Sequence, residues 1–219
     1  MSIRERLETI RRQLPKTTKL IAVSKYHTPE EVMEAYDAGH RLFGENRVQE
    51  LLPKREALPK DIEWHLIGTL QRNKVKYVVP FVSMIHSIDS VKLLKEVEKE
   101  CSKQGRKELP VLLQIHISRE ETKHGFSPEE VKKFLTTELL SELQYTKISG
   151  IMGMASLTDD MDKVENEFAE MQELFDELRN GVFKNSPSFS ELSMGMTHDY
   201  PIAVKHGATI IRVGSAIFS

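Results

Sequence analysis

The residues best suited to chemistry stand at the ends of apolar runs. In LIAVSKYHT, residues 20–28, an apolar stretch leads into Ser24 and Lys25. Lysine is seldom buried without a partner. One use of Lys25 is structural: the side chain carries its head out to water or pairs with Glu45 or Glu31. The other is chemical. A neutral amine attacks an aldehyde to form a Schiff base, which suits a lysine withdrawn from bulk water. A second concentration is SMGMTHDYP, residues 193–201, where Ser193, Gly195 and Thr197 can present hydroxyls and backbone N–H groups. A helix is expected to begin at His198-Asp199, and a helix N-terminus favours anions by geometry and dipole. IRVGSAIF, residues 211–218, adds Arg212, Gly214 and Ser215. A third set is His65, His86 and His116, since three imidazoles can hold a catalytic zinc. No H-x-H or H-E-x-x-H spacing supports that metal site.

Elements that would position these groups alternate along the chain. Apolar runs at 20–24, 41–44, 62–67, 82–87, 109–116, 147–154, 189–193 and 208–214 read as strands. Charged segments with apolar residues at helical spacing lie near 29–38, 46–57, 71–79, 90–103, 128–142, 160–180 and 199–206. Thr28-Pro29-Glu30-Glu31 and Ser127-Pro128-Glu129-Glu130 are helix starts with a capping hydroxyl and proline at the first helical position. Eight strands alternating with helices, apolar on both faces, fit an α/β fold of the (β/α)8 TIM-barrel type in one domain over 1–219, with an extra amphipathic N-terminal helix. A doubly wound open sheet shares that alternation, but no G-x-G-x-x-G follows the first strand. In a barrel the site lies at the C-terminal strand ends, and loops seven and eight commonly hold a phosphate. Lys25, Glu45-Asn46, His65, His86-Ser87, His116, Met154, Ser193 and Arg212 to Ser215 then share one rim.

The 219 residues carry a formal net charge of -2, which offers no basic footprint for nucleic acid. No window has the uninterrupted apolar length of a membrane span or secretory core, and the lone Cys101 fits a reducing compartment. A cytoplasmic globular protein is expected.

AVSKYH, FGENRVQE, WHLIGTLQRNK, HSID, KHGF, GIMGM and ELSMGMTHDYPIAVKHGATIIRVGSAIF, in that order, closely resemble the pyridoxal phosphate homeostasis proteins. The resemblance covers essentially the whole chain. It implies a fold-type III barrel like the N-terminal domain of alanine racemase, with pyridoxal 5′-phosphate (PLP) bound to Lys25 as an internal aldimine. By the same likeness Asn46 and His65 surround the ring. Ser193, Met194, Gly195, Met196 and Thr197, with Gly214 and Ser215, bind the phosphate, and Arg212 approaches the pyridine nitrogen or the phosphate. His116 departs from the usual Asn of the family, Thr197 replaces a frequent Ser, and relatives commonly continue beyond Phe218-Ser219.

The family implies a carrier that maintains PLP (vitamin B6) and amino-acid balance and hands the cofactor to apo-enzymes. Racemase chemistry needs a second acid or base opposite the lysine, which alanine racemase takes from a further domain and a partner subunit. A small PLP-dependent amino-acid racemase is the enzymatic alternative, and a metal-dependent barrel hydrolase a third.

Overall fold

The computed structural model of the chain describes residues 1–117 and 125–219. Lys123 and His124 of the KHGF motif lie outside them. In chain order the elements are α1 (Ile3–Gln13), β1 (Lys19–Val23), α2 (Pro29–Asp37), β2 (Leu42–Glu45), α3 (Val48–Ala57), β3 (Glu63–Leu66), a 3-10 turn (Arg72–Lys74), α4 (Val75–Val78) and β4 (Met84–Ile88). There follow α5 (Val91–Gln104), β5 (Leu109–Ile115), α6 (Pro128–Phe134), α7 (Thr137–Glu142), β6 (Thr146–Gly153), α8 (Met161–Asn180), β7 (Glu191–Ser193), α9 (Tyr200–Lys205), β8 (Ile210–Val213) and α10 (Ser215–Phe218). All eight strands are parallel and close in the order β1 to β8, with β8 pairing back on β1. The open-sheet alternative is thereby excluded.

Local chemistry sets the helix starts. Thr28 and Ser127 both form capping boxes with Glu31 and Glu130, ahead of Pro29 and Pro128. The single helix expected over 128–142 is two, because the Thr136 hydroxyl accepts the Leu139 N–H and starts α7 afresh. The 71–79 segment likewise divides into a 3-10 turn and the short α4. The C-terminal helix α10 lies beyond the 208–214 run read as a strand and was not among the expected helices.

Two apolar layers result. Outward-facing strand residues such as Phe43, Trp64, Ile85 and Ile211 pack with helix stripes that include Leu51, Val97 and Phe168. Inside the barrel Ile21, Val23, Met84, Leu112, Met152 and Ile210 form a separate cluster. The N-terminal helix buries Ile3, Leu7 and Ile10, and Arg6 on it donates to Ile217 O at 3.1 Å, tying it to α10. Its apolar stripe is accounted for by packing within the chain.

Candidate functional site

Strand parity decides which side chains reach the barrel mouth. Ile21 and Val23 face the interior, and successive strand side chains alternate faces. Lys25, two positions further on, lines a cavity of about 530 Å³ with Val23, Asn46, Ile67, Met154, Met196, Thr197, Arg212, Gly214 and Ser215. Tyr26, His27, His198 and Ser219 complete the lining. Tyr26 has φ of 67°, a left-handed conformation that costs a non-glycine residue on the order of 1–3 kcal/mol. Its N–H donates to Glu50 Oε2 at 3.2 Å. This turn ends β1 abruptly.

The Lys25 ammonium makes no ion pair among the described residues, and it lies 5.8 Å from the Tyr26 ring centroid. Both carboxylates considered as its partners are engaged elsewhere. Glu45 pairs with Lys54 at 2.5 Å. Glu31 accepts the Thr28 N–H at 2.7 Å and lies 3.1 Å from His27 Nδ1. Lys25 is therefore not held by Glu45 or Glu31.

Arg212 reaches the cavity from β8 and is only 4% exposed. It donates to Ser193 Oγ at 2.6 Å and to Gly153 O at 3.0 Å. Among the described residues no carboxylate lies within ion-pair distance of it. Burial pushes the guanidinium down to about 10, opposed by the more distant Asp199 carboxylate. A buried charge without a counter-charge is expensive. It gives the cavity a standing demand for an anion or a strong acceptor.

Ser193 passes this arrangement downward. His86 Nδ1 lies 3.0 Å from its Oγ, and His86 Nε2 lies 2.8 Å from His65 Nδ1. A guanidinium can only donate, and among the described residues the Ser193 proton has no acceptor other than His86. The chain thus runs from Arg212 to Ser193 to His86 to His65. Both imidazoles are neutral: burial holds His65 down at about 3, and burial with His65 and Arg212 nearby holds His86 well below its ordinary value.

The loops after β7 and β8 meet Lys25 across the mouth. Ser215 Oγ donates to Thr197 Oγ1 at 3.3 Å. A Cβ added at Gly214 would stand 3.2 Å from Val23 O, so glycine there lets the chain pass close to β1. Gly195 has φ of 92°, and a Cβ on it would meet the Ala203 Cβ at 2.6 Å. The helices at this rim are short, since α9 spans six residues and α10 four. Asp199 turns back to accept the Met196 N–H at 2.5 Å and shapes the loop before α9.

Of the residues singled out in the sequence, Lys25, Asn46, Met196, Thr197, Arg212, Gly214 and Ser215 share this cavity. Ser193 and His65 do not line it: both are buried in the floor beneath Arg212, joined to it through the Ser193 hydroxyl and His86. Met194, the residue after β7, is fully buried in the core between strands and helices. Gly195 acts through its backbone, its carbonyl accepting the Arg212 N–H at 2.9 Å. The histidine trio does not assemble as a metal centre: among the described residues no three His, Cys, Asp or Glu side chains gather to hold an ion. His27 and Ile67 were missed. Both follow an inward-facing residue at a spacing of two, and His27 stacks on Phe218 at 4.5 Å.

The arrangement offers an amine without an ion pair, a fixed guanidinium and a hydroxyl-rich turn around one cavity. Such a donor set fits a phosphate ester that also carries a carbonyl group.

Comparisons with known proteins bear on the family and the fold. The alanine racemase N-terminal domain family matches residues 1–219. A pyridoxal phosphate homeostasis protein of Aquifex aeolicus is 40% identical over 201 residues, covering 91% of this chain and 86% of that protein. Another from Schizosaccharomyces pombe is 36% identical, covering 97% and 90%. PipY of Synechococcus elongatus PCC7942, solved without PLP, superposes with a TM-score of 0.91 at 39% identity over 100% of both chains. The PipY structure with PLP bound gives 0.88. An alanine racemase of Clostridium difficile, 14% identical with a TM-score of 0.74, is matched over 56% of its length and shares the fold. No described helix is long and apolar enough to cross a membrane. By its full-length match and by these relatives, the chain belongs to the alanine racemase N-terminal domain family and, within it, to the pyridoxal phosphate homeostasis proteins.

Proposed function

We propose that this chain, acting as a single barrel domain, binds pyridoxal 5′-phosphate in the rim cavity. Lys25 holds the cofactor covalently, and the protein stores and releases it within vitamin B6 homeostasis rather than turning over a substrate. The observation that carries the reading is that a Lys25 amine and a buried Arg212, neither with a carboxylate partner among the described residues, face one cavity. The relatives' name and the PLP-bound PipY structure support the same ligand.

When bound, PLP supplies an electrophilic aldehyde and an electron-withdrawing ring. The chain's own groups then divide the work. Thr197 and Ser215 hydroxyls and the backbone around Gly214 bind the phosphate. Asn46 and Arg212 orient the ring, with Arg212 fixed by Ser193 and Gly153. Lys25 supplies the amine.

Carriage rather than catalysis fits the chain's tyrosines and His198, while His27 in the lining is already engaged by the Glu31 carboxylate at 3.1 Å and stacked on Phe218. Tyr36 and Tyr200 donate to Asp61 and Gln13 and are spent on structure. Tyr26 and His198 line the mouth but are exposed, and no side-chain hydrogen bond among the described residues orients them. General acid–base catalysis needs a group held at hydrogen-bond distance from the proton it moves. Apo PLP-dependent enzymes are the recipients this reading implies.

The test is the visible spectrum of the PLP-loaded protein before and after borohydride, for wild type and Lys25→Ala. Wild type should show a reducible chromophore that the variant lacks. A variant that keeps the same reducible chromophore would show that Lys25 is the wrong residue. Incubation with either alanine enantiomer should give no sustained interconversion, and steady racemisation would favour the small-racemase alternative.

A further inference from the structure

Behind the cavity lies a buried charge pair that lines no part of it. Glu45, the last residue of β2, is 0% exposed, and Lys54 on α3 is 7% exposed. Lys54 Nζ donates to Glu45 Oε1 at 2.5 Å and to Ser24 O at 2.6 Å, and Ser24 Oγ donates to the same Oε1 at 2.6 Å. Glu45 Oε2 is buried without a hydrogen-bond partner among the described residues. Burial pushes this carboxyl up, against the pull of Lys54 and Ser24. A buried ion pair is a poor source of stability, because desolvation of two charges offsets their attraction. Apolar replacements of such pairs are often neutral or better. Its position explains more than its energy.

The β1–β2 ladder registers Val23 with Gly44 and ends with the Ser24 N–H donating to Gly44 O at 3.0 Å. Beyond it the chain leaves the sheet, and the next residue is Lys25. The peptide before Lys25 is held by its carbonyl, Ser24 O, on Lys54 Nζ; the His27 N–H also reaches that oxygen at 3.1 Å. The peptide after Lys25 is held by its N–H, from Tyr26, on Glu50 Oε2 at 3.2 Å. Glu50 and Lys54 are four residues apart on α3, so they lie on one face of that helix. One helix face therefore grips both peptide units that flank the lysine, and the grip works across a strained left-handed turn.

We propose that Lys54 and Glu50, with Glu45 holding Lys54 in place, are positioning residues for Lys25. They fix the two flanking peptides and so aim its amine into the cavity. This rests on the reading of Lys25 as the point of cofactor attachment.

The test separates how much cofactor binds from how much is attached. Full-length wild type, Glu50→Ala, Glu50→Gln and the double variant Glu45→Leu/Lys54→Met are equilibrated with PLP. Total bound cofactor is measured by ultrafiltration, and the fraction fixed on Lys25 is measured by borohydride reduction and peptide mass spectrometry. In the ligand-free proteins, the rate of Lys25 acylation by acetic anhydride is measured by the same peptide mapping. At PLP concentrations that saturate every protein, the double variant and Glu50→Ala should hold total PLP within about threefold of wild type, since the phosphate grip is intact. Their fixed fraction should fall about tenfold, the scale of a sub-ångström misplacement of a reacting group, with a changed acylation rate. Glu50→Gln still accepts the Tyr26 N–H and should behave as wild type. If the double variant does not fold, the exposed-edge pair Glu50→Ala and Glu50→Gln decides alone. Unchanged fixed fraction and acylation rate in Glu50→Ala, with an adduct on Lys25 in wild type, would overturn the clamp only. No adduct on Lys25 in wild type would overturn the attachment reading and the clamp with it.

Discussion

Two buried polar networks support the same cavity, and they are built on opposite principles. The one beneath Arg212 runs through the barrel interior: a single positive charge is held by neutral partners, Ser193, His86, His65 and the Gly153 carbonyl. The one behind Lys25 lies between β2 and α3 and is internally neutralised, Glu45 against Lys54. The first leaves a charge uncompensated and pointed at the cavity, so its field is available to a ligand. The second consumes its charges locally and offers only geometry. The difference teaches which buried charges to read as recognition and which as framework.

The largest contrast comes from breaking each network at its cation. Lys54→Met leaves Glu45 buried and unpaired and should destabilise the fold by about 3–5 kcal/mol, read as the urea midpoint. Arg212→Met removes a charge whose partners, Ser193 Oγ and Gly153 O, are neutral, and strands no opposite charge among the described residues, so its midpoint should move less, while PLP retention collapses. Equal losses of stability in the two variants would erase the distinction.

Acid should act on the networks with opposite sign. His65 is held at about 3 by burial, against an ordinary 6.5. Its contribution to stability is therefore complete above 6.5 and declines as the pH falls toward the folded value. Between about pH 7 and pH 5 this one site accounts for about 2 kcal/mol. Glu45, pushed up by burial, contributes stability at low pH that is lost as the pH rises through its folded value. His65→Gln should flatten the acid-side decline in urea midpoint between these pH values, whereas an unaltered slope would place the lost stability elsewhere.

Smaller effects sharpen the picture. Ser193→Ala cuts the link between Arg212 and His86 and should cost about 1–3 kcal/mol. PLP retention should fall through a loosened Arg212, not through a lost contact, because Ser193 does not line the cavity. A loss as large as that of Arg212→Met would make Ser193 a direct ligand. Thr197→Val removes one exposed-edge hydroxyl contact with Ser215. It should leave the urea midpoint within about 1 kcal/mol while raising the PLP dissociation constant severalfold, and an unchanged constant would remove Thr197 from the phosphate grip.

Much of this site was legible in the sequence for a geometric reason. Barrel strands carry inward residues at a spacing of two, so Lys25 beyond Val23 and Gly214 beyond Arg212 fall over the same interior as their predecessors. The glycine- and hydroxyl-bearing loops after β7 and β8 stood out by their residue types and their place after the last two apolar runs, and the family resemblance assigned them the phosphate. Depth was harder. His65 and Ser193 sat at the right rim in the sequence and the resemblance added Met194 to the phosphate site, but the fold puts the first two in the floor and the third in the core between strands and helices. The grip on Lys25 was illegible because Glu50 and Lys54 look like any charged helix face. Only the packing of α3 on the end of β1 reveals that one face is spent on peptide groups. The break at Thr136 shows the same limit, since a threonine within a helical pattern signals a cap only where the backbone turns.

The central claim is that Lys25 is the point of attachment in a cavity otherwise built to hold a phosphate. Borohydride fixation of PLP at one equivalent, followed by peptide mass mapping of every lysine, tests it most directly. The predicted result is a single phosphopyridoxyl group on the peptide bearing Lys25. Adducts spread over surface lysines, or concentrated on Lys54 or Lys74, would contradict it.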